Sequence, residues 1–446
     1  MIMKKYLGLR LSALSLGCLM ALPGIAMADE AREQALEQRI NDLEAQLQQL
    51  ASEIRAQRTA PAAAPAALPA GKLPIQLTTL TPGSPSGTTL KVGGFVKADF
   101  MVTKAHDGML ADGATGRALY IPGQTPVGGN SSDAVYDAHA KFSRFNVGID
   151  TVTEGGDKAG AFLEMDFFGN ALGTQTSTNT YGVTVRHAYA YWNHWLAGQT
   201  WSNFQDVASM PEGVDFIGAT DGTVFVRQPQ VRYTNGAWTL SMENPETTIT
   251  PFHGGTRISS DDNNMPDLIG RYTHKAAWGH LTGALMLRQL AYETTGTNAI
   301  DDSSYEVAGS FSGRYNFNPN NDLRFALNVG SGLGRYIGLG IASDAMLDGN
   351  GNIEGLDGVA GFIGFHHNFS AQVRGNIYYS ASKYDNDAAL TGGAVTESVS
   401  SISANLFYSP LPKLDVGAEL RFADRELESG VDGSLTRLHF LARYSF

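Results

Sequence analysis

The chain has 446 residues, 43% of them hydrophobic and 10% aromatic, with 51 glycines and a formal net charge of −12. Past the N-terminus no run of about eighteen apolar residues occurs, which excludes helical membrane spans and leaves a closed barrel as the one way to reside in lipid. An acidic chain is also a poor match to a polyanion, so no nucleic-acid partner is expected.

Residues 1–28 read as a secretory signal peptide. Lys4, Lys5 and Arg10 precede an apolar run from Leu11, and Ala26-Met27-Ala28 supplies a small-residue cleavage site before Asp29. Its removal takes away three positive charges and no acid, so the formal charge moves from −12 to −15. It also removes Cys18, and export then brings no disulfide framework.

Residues 29–58 carry Leu36, Ile40, Leu43, Leu47, Leu50 and Ile54, alternately four and three apart. Such spacing is a heptad seam, with Ile40, Leu47 and Ile54 at a and Leu36, Leu43 and Leu50 at d. Arg39 falls at g and Glu44 at e five residues on, where an ion pair can bridge neighbouring parallel helices. The string from Arg39 to Glu44 also resembles a short trimerisation motif of coiled coils. A homotrimer held by these eight residues is the expectation; an amphipathic helix lying on its own barrel is the alternative. Residues 59–91, with TAPAAAPAALPAGKLP and TPGSPSG, favour extended backbone without a packed core and read as a spacer.

From Val92 to Phe446 the hydrophobic period becomes two. Sixteen alternating stretches predict strands at 92–103, 142–151, 160–170, 183–192, 194–199, 226–235, 237–245, 267–275, 278–288, 304–315, 321–332, 357–368, 370–383, 397–409, 413–425 and 433–446. A strand of about ten residues at roughly 3.3 Å each, tilted near 40°, spans on the order of 25 Å, the apolar height of an outer-membrane barrel. The connections alternate long and short in strict order. Long ones include 104–141, 200–225, 246–266 and 333–356, and short ones Asn235-Gly236, Ala276-Ala277, NFNPNN and SPLP. A barrel with short periplasmic turns and long outer loops requires that parity, and an even strand count puts both barrel ends, and hence the coiled coil, on the periplasmic side. The fold class is therefore an all-β transmembrane barrel of 16 antiparallel strands with a short N-terminal helical coiled coil, embedded in outer-membrane lipid.

The same alternation turns Arg144, Arg186, Arg232, Arg271, Arg288, Arg314, Arg324, Arg374 and Arg421 inward, with Arg437 and Arg443. In SRFNVGID, Phe145, Val147 and Ile149 face out while Arg144, Asn146 and Asp150 face in. Lys141, Lys275, Lys383 and Lys413 sit near strand ends. Arginine's planar fork suits carboxylates, and a channel lined with one sign of charge concentrates counter-ions, so small anionic solutes are the expected cargo. Inward acids such as Asp150, Glu164, Asp166, Glu306, Asp415 and Glu419 could instead pair with these arginines and brace the wall. Asp206, Glu212, Asp215 and Asp221 lie in the connection 200–225 after the fifth strand. Pro229, just beyond, marks a strand end or a bulge.

GGFVKADF, SRFNVGID, RHAYAYWNHWLAGQTWSNF and RQPQVRYT, in that order behind the leader, coiled coil and spacer, resemble the DcaP-like family of trimeric outer-membrane porins. The resemblance implies passive uptake of small anions, dicarboxylates above all, through an arginine-lined pore with no cofactor. The connection 200–225 also resembles the segment that, at this position in sixteen-stranded porins, folds inward and narrows the pore, which would set its acids against the arginine wall; a purely external loop is the alternative. Three other readings compete. A barrel hydrolase would need a serine–histidine pair that no motif here specifies. A trimeric anchor or adhesin would have a small barrel on a long stalk, and a cation or sugar porin would have every arginine matched by an acid.

Overall fold

The computed structural model describes residues 87–169, 178–297 and 299–446, together with Gln38, Ala45 and Gln48, which are helical. The signal peptide, the remainder of the expected coiled coil and the spacer as far as residue 86 lie outside the described residues.

The strands are β1 Thr88–Ala105, β2 Val135–His139, β3 Arg144–Val152, β4 Lys158–Asp166, β5 Thr184–Trp192, β6 Trp195–Trp201, β7 Arg227–Asn235, β8 Trp238–Glu243, β9 Thr247–Thr250, β10 Ile258–Ser260, β11 Asp267–Ala276, β12 Gly279–Glu293, β13 Asp301–Asn318, β14 Asn321–Ser331, β15 Ala345–Leu347, β16 Ile353–Gly355, β17 Asp357–Asn368, β18 Val373–Tyr384, β19 Thr396–Leu411, β20 Leu414–Leu427 and β21 Asp432–Ser445. All but β9, β10, β15 and β16 belong to one antiparallel sheet, and β21 pairs back onto β1 from Phe95↔Ser445 to Ala105↔Leu435, which closes the barrel. β2 pairs with Asp99–Thr103 and β3 with Thr88–Phe95, so the two occupy one position beside β1 and the wall has 16 positions.

Each expected stretch coincides with a strand, with two adjustments. β1 begins at Thr88 rather than Val92, because Thr88 to Lys91 continue the ladder to β3; the Thr88 and Thr151 hydroxyls meet at 2.8 Å and Lys91 pairs with Asp150. Residues 135–139, placed by the sequence in a long loop, return to the wall as β2. Tyr136 and Ala138 face out there, but the irregular Ala140–Ser143 separates them from β3, so no long alternating run advertises them.

Burial runs opposite to a soluble core. Phe311, Leu327, Ile363, Ile377, Ile402 and Phe440 are exposed, while Asn328, Ser380, Ser403, Arg421 and His439 on the alternate face are buried. With every strand paired, the ladder satisfies its own backbone groups, and the apolar face can meet lipid. Trp238, Tyr315, Phe317, Phe369, Tyr444 and Phe446 are exposed beside the short turns, where an interfacial aromatic belt belongs. The Phe446 amide donates to Gly94 O at 3.0 Å across the seam. Pro229 stands in β7 two residues from its long-loop end with its side exposed, the edge position open to a residue that cannot donate.

At the opposite end the long connections fold back into the barrel. Leu333, Tyr336, Ile337, Ile341, Met346 and Leu356 pack with Phe204, Val224, Met286, Ala308, Ala360 and Val399 into an apolar cluster inside the wall. Above it β10, β9, β15 and β16 form a four-stranded sheet in which β9 and β15 run parallel. A hydrophobic core thus exists, but loops supply it.

Candidate functional site: the lumen wall

The segment between β6 and β7 lines the inside of the wall. Its carbonyls and carboxylates meet strands in succession: Gln205 O accepts from Arg271 Nη1 on β11 (2.9 Å), and Asp206 Oδ2 contacts His280 Nε2 on β12 (2.8 Å) and Ser312 Oγ on β13 (3.1 Å). Met210 O then accepts from Arg324 Nη1 on β14 (2.9 Å), and Glu212 accepts twice from Arg374 on β18 (2.7 and 2.8 Å). Val214 N donates to Glu419 Oε2 on β20 (2.9 Å), and Val214 O accepts from Lys97 Nζ on β1 (2.8 Å). The return path is fixed by Arg421 Nη2 on Gly218 O (2.6 Å) and by Gly222 N on Ser380 Oγ (2.7 Å). Inward-pointing polar side chains of the strands are thus the anchors to which the loop is tied; Arg271, Arg324, Glu419, Lys97, Arg421 and Ser380 each satisfy a loop backbone group that would otherwise be buried unpaired, and His280, Ser312 and Arg374 hold its carboxylates.

The nine inward arginines divide into two groups. Arg186, Arg288 and Arg421 are buried and paired. Arg186 binds Glu164 and Asp166 at 2.9 Å each; Arg288 sits 2.7 Å from Asp344 and 3.5 Å from Asp267; Arg421 sits 3.2 Å from Glu419 and 3.9 Å from Asp215. These brace the wall. Arg144, Arg232, Arg271, Arg314, Arg324 and Arg374 keep part of their surface open, with side-chain exposure from 14% at Arg324 to 40% at Arg314 among the ion-paired ones. Arg314 and Arg324 face each other in the β13–β14 register and share one carboxylate, Asp322, at 2.7 and 2.6 Å. Arg232 donates to Gln230 Oε1 (2.8 Å) and to Trp201 O and makes no carboxylate pair among the described residues. Arg271 has Asp206 only at 3.7 Å, and Arg144 shares Glu164, at 3.4 Å, with Arg186. Arg374 is matched, by Glu212 at 2.7 Å and Asp415 at 3.1 Å, and Arg443 joins it on Asp415 at 2.7 Å. Positive charge is therefore in excess along β7, β11, β13 and β14, close to the short-turn end.

The four loop acids do not act alike. Glu212 and Asp206 face arginines, as the resemblance implies, and Asp215 accepts from Tyr120 N at 3.2 Å with Arg421 further off. Asp221 departs from that expectation: fully buried, it accepts from Tyr120 Oη at 2.7 Å and from Ser401 Oγ, and makes no ion pair among the described residues. Burial pushes its carboxyl above the ordinary carboxylate range and the Tyr120 phenol well above that of a free phenol. The loop acids are in large part consumed in holding the loop.

Inward groups beyond those expected from the sequence include Lys97, Asp99, Arg227 and the shared Asp322. Lys97 lies buried 2.9 Å from Asp99, which also meets His439 at 2.9 Å. The outward Val96, Phe100 and Val102 were a sufficient signal for Lys97 and Asp99. Arg227 stands over the Trp201 ring at 4.8 Å and the Phe225 ring at 5.9 Å, with Nη1 buried and unbonded. It sits at the loop-side end of β7, where alternation no longer reports orientation.

A family model described as DcaP outer membrane protein matches residues 26–446. Among solved structures, the outer membrane channel DcaP of Acinetobacter baumannii is similar, with a TM-score of 0.65 and 24% identity over 81% of this chain and 99% of that one. OmpT of Vibrio cholerae, expressed in the outer membrane, is similar at a TM-score of 0.50 and 12% identity over 81% of this chain and 99% of that one. At these identities the likeness is one of fold. No curated protein matches the chain.

Proposed function

Because the chain belongs to the DcaP outer membrane protein family and folds as an outer-membrane porin, we propose that it passes small anionic solutes, dicarboxylates foremost, passively down their gradients. The observation that carries this reading is the set of partly open arginines near the short-turn end, where two guanidiniums share Asp322 and Arg232 has no carboxylate partner among the described residues. Arg232 and Arg314 each keep Nη1 clear of the hydrogen bonds made among the described residues, a charged donor that a passing carboxylate can take. Several such sites around one wall allow hand-over rather than capture, since conduction needs binding weak enough to release. The segment 200–225 narrows the lumen past which the solutes move. No energy source or cofactor is required.

The matched pair Arg374–Glu212 and the shared Asp415 favour a second reading, a general, cation or sugar pore. A planar bilayer under a KCl gradient separates the two: a reversal potential on the anion side supports the proposal, and one on the cation side overturns it. Blockade by succinate and phthalate but not by a neutral sugar then assigns the carboxylate preference.

The assembly is a homotrimer in this reading, with the helix of residues 29–58 joining three copies in the periplasm through Leu36, Arg39, Ile40, Leu43, Glu44, Leu47, Leu50 and Ile54. The variant Ile40→Glu/Leu43→Glu/Leu47→Glu is expected to abolish the trimer band on a cold gel; unchanged trimers would mean that barrel contacts suffice.

A further inference from the structure

We infer that the pore is electrically polar along its axis, acidic at the long-loop mouth and basic at the short-turn belt, and that it therefore rectifies, passing more ionic current when its long-loop face is positive than when that face is negative. The inference rests on the porin reading above.

Among the described residues, exposed carboxylates gather at the long-loop end: Asp112, Asp261, Glu293, Asp301, Glu354 and Asp387 all lie in connections there or at the strand tips they join. Few exposed cations oppose them. Arg117 is taken by Asp137 at 3.0 Å and by Asp112, and Lys383 by Glu397 at 2.8 Å; Lys104 and Arg257 are exposed. At the other end stand Arg232, Arg271, Arg314 and Arg324, with Asp322 and the more distant Asp206 against them. Their strands place them within a few residues of the short turns.

Two zones of opposite fixed charge in series behave differently from one uniform zone. The acidic mouth enriches cations and the basic belt enriches anions. When the long-loop face is positive, cations drift inward from the mouth and anions outward from the belt, so both carriers collect where the zones meet and conductance rises. Reversing the field withdraws both carriers from that junction, and conductance falls. The effect needs the two fields to reach into the lumen, so it belongs to low salt, where the screening length is about 10 Å, and vanishes at about 1 M, where it is about 3 Å. A lumen positive throughout would give no such asymmetry.

The test uses the full mature chain as its native oligomer in a planar bilayer. Thr295→Cys at an exposed long-loop tip is biotinylated, and streptavidin added to one compartment reports the direction of insertion. In symmetric KCl at about 0.1 M, current with the long-loop face at +100 mV should exceed that at −100 mV by about 1.5- to 3-fold, and the ratio should approach one at about 1 M. The variant Asp261→Asn/Glu293→Gln/Asp301→Asn, confirmed folded by its heat-modifiable gel mobility, should lose the asymmetry and gain anion preference. A straight current–voltage line at low salt in a channel that conducts and selects anions overturns the inference and leaves the porin reading standing, as does rectification of opposite sign or a ratio unchanged in the variant. Absence of conductance, or cation selectivity, overturns both.

Discussion

Arg288 and Arg314 have the same side chain on the same face of neighbouring strands, β12 and β13, yet the two ends of the lumen make them different groups. Around Arg288 the long loops have excluded water: its side chain has no exposure, and Asp344, Asp267, Gly332 O and Glu246 O surround it. Around Arg314 no loop core forms, 40% of the side chain stays open, and one aspartate serves two arginines. Orientation toward the lumen is thus a property of the strand, whereas bracing or selecting is a property of what packs above it. Charge buried with its partner is expensive to separate, and charge left half solvated is available to a third party.

Substitutions can break this comparison at either end. The largest effect is expected at Arg288→Met, which strands Asp344 and Asp267 in the apolar interior and should cost about 3–5 kcal/mol of stability. A lower temperature for loss of the folded gel band, with new protease cuts in 333–356, would register it, and an unchanged transition would refute the bracing role. Next, Tyr336→Phe removes the hydroxyl that donates to Asp267 at 2.7 Å and accepts from Gln228 at 2.9 Å, leaving a buried carboxylate short of a donor at a cost of about 1–3 kcal/mol by the same assay. The triple variant Arg314→Gln/Arg324→Gln/Asp322→Asn, which removes the buried carboxylate together with its two partners, should leave stability within about 0.5–1 kcal/mol but reduce the anion-to-cation permeability ratio about twofold, read from the reversal potential. Loss of the folded band there, with selectivity retained, would reverse the roles assigned to the two ends. Glu212→Gln should sharpen the contrast modestly by freeing Arg374, raising that ratio by about 1.5- to 2-fold.

The smallest change is expected at Asp221→Asn. The native carboxyl is raised by burial, so its contribution to stability is full below the ordinary carboxylate range and is lost as pH rises through the folded value. The amide cannot lose a proton. The variant should therefore match the wild type in acid and gain on it toward neutral pH, measured as the difference in melting temperature between about pH 4 and pH 7.

Much of this was legible in the residues themselves. Phe145 and Ile149 beside Arg144 and Asn146 betray a wall with lipid on one side, because a period of two leaves no other assignment of faces. Sixteen such stretches and the parity of their connections were enough for the barrel. β2 leaves no long alternating run because Ala140–Ser143 interrupts it, and Lys97 stands mid-strand, unlike Lys141, Lys275, Lys383 and Lys413 near strand ends. The arginines' directions could be read, but their partners could not. Val214 meets Glu419 across 205 residues of sequence, and Arg374 meets Glu212 across 162, and no local pattern reports a contact of that span. The resemblance foretold an inward loop; it could not foretell that Asp221 would be spent on Tyr120 and Ser401.

The parallel pairing of β9 with β15 joins two outer connections nearly a hundred positions apart, and the salt bridge of Arg288 with Asp344 rivets both to the stave beneath. Such connections are not interchangeable parts. Grafting the 333–356 segment from a relative would unseat the 247–260 hairpin with it, whereas a foreign epitope set between the exposed Thr295 and Gly296 should be displayed without disturbing either.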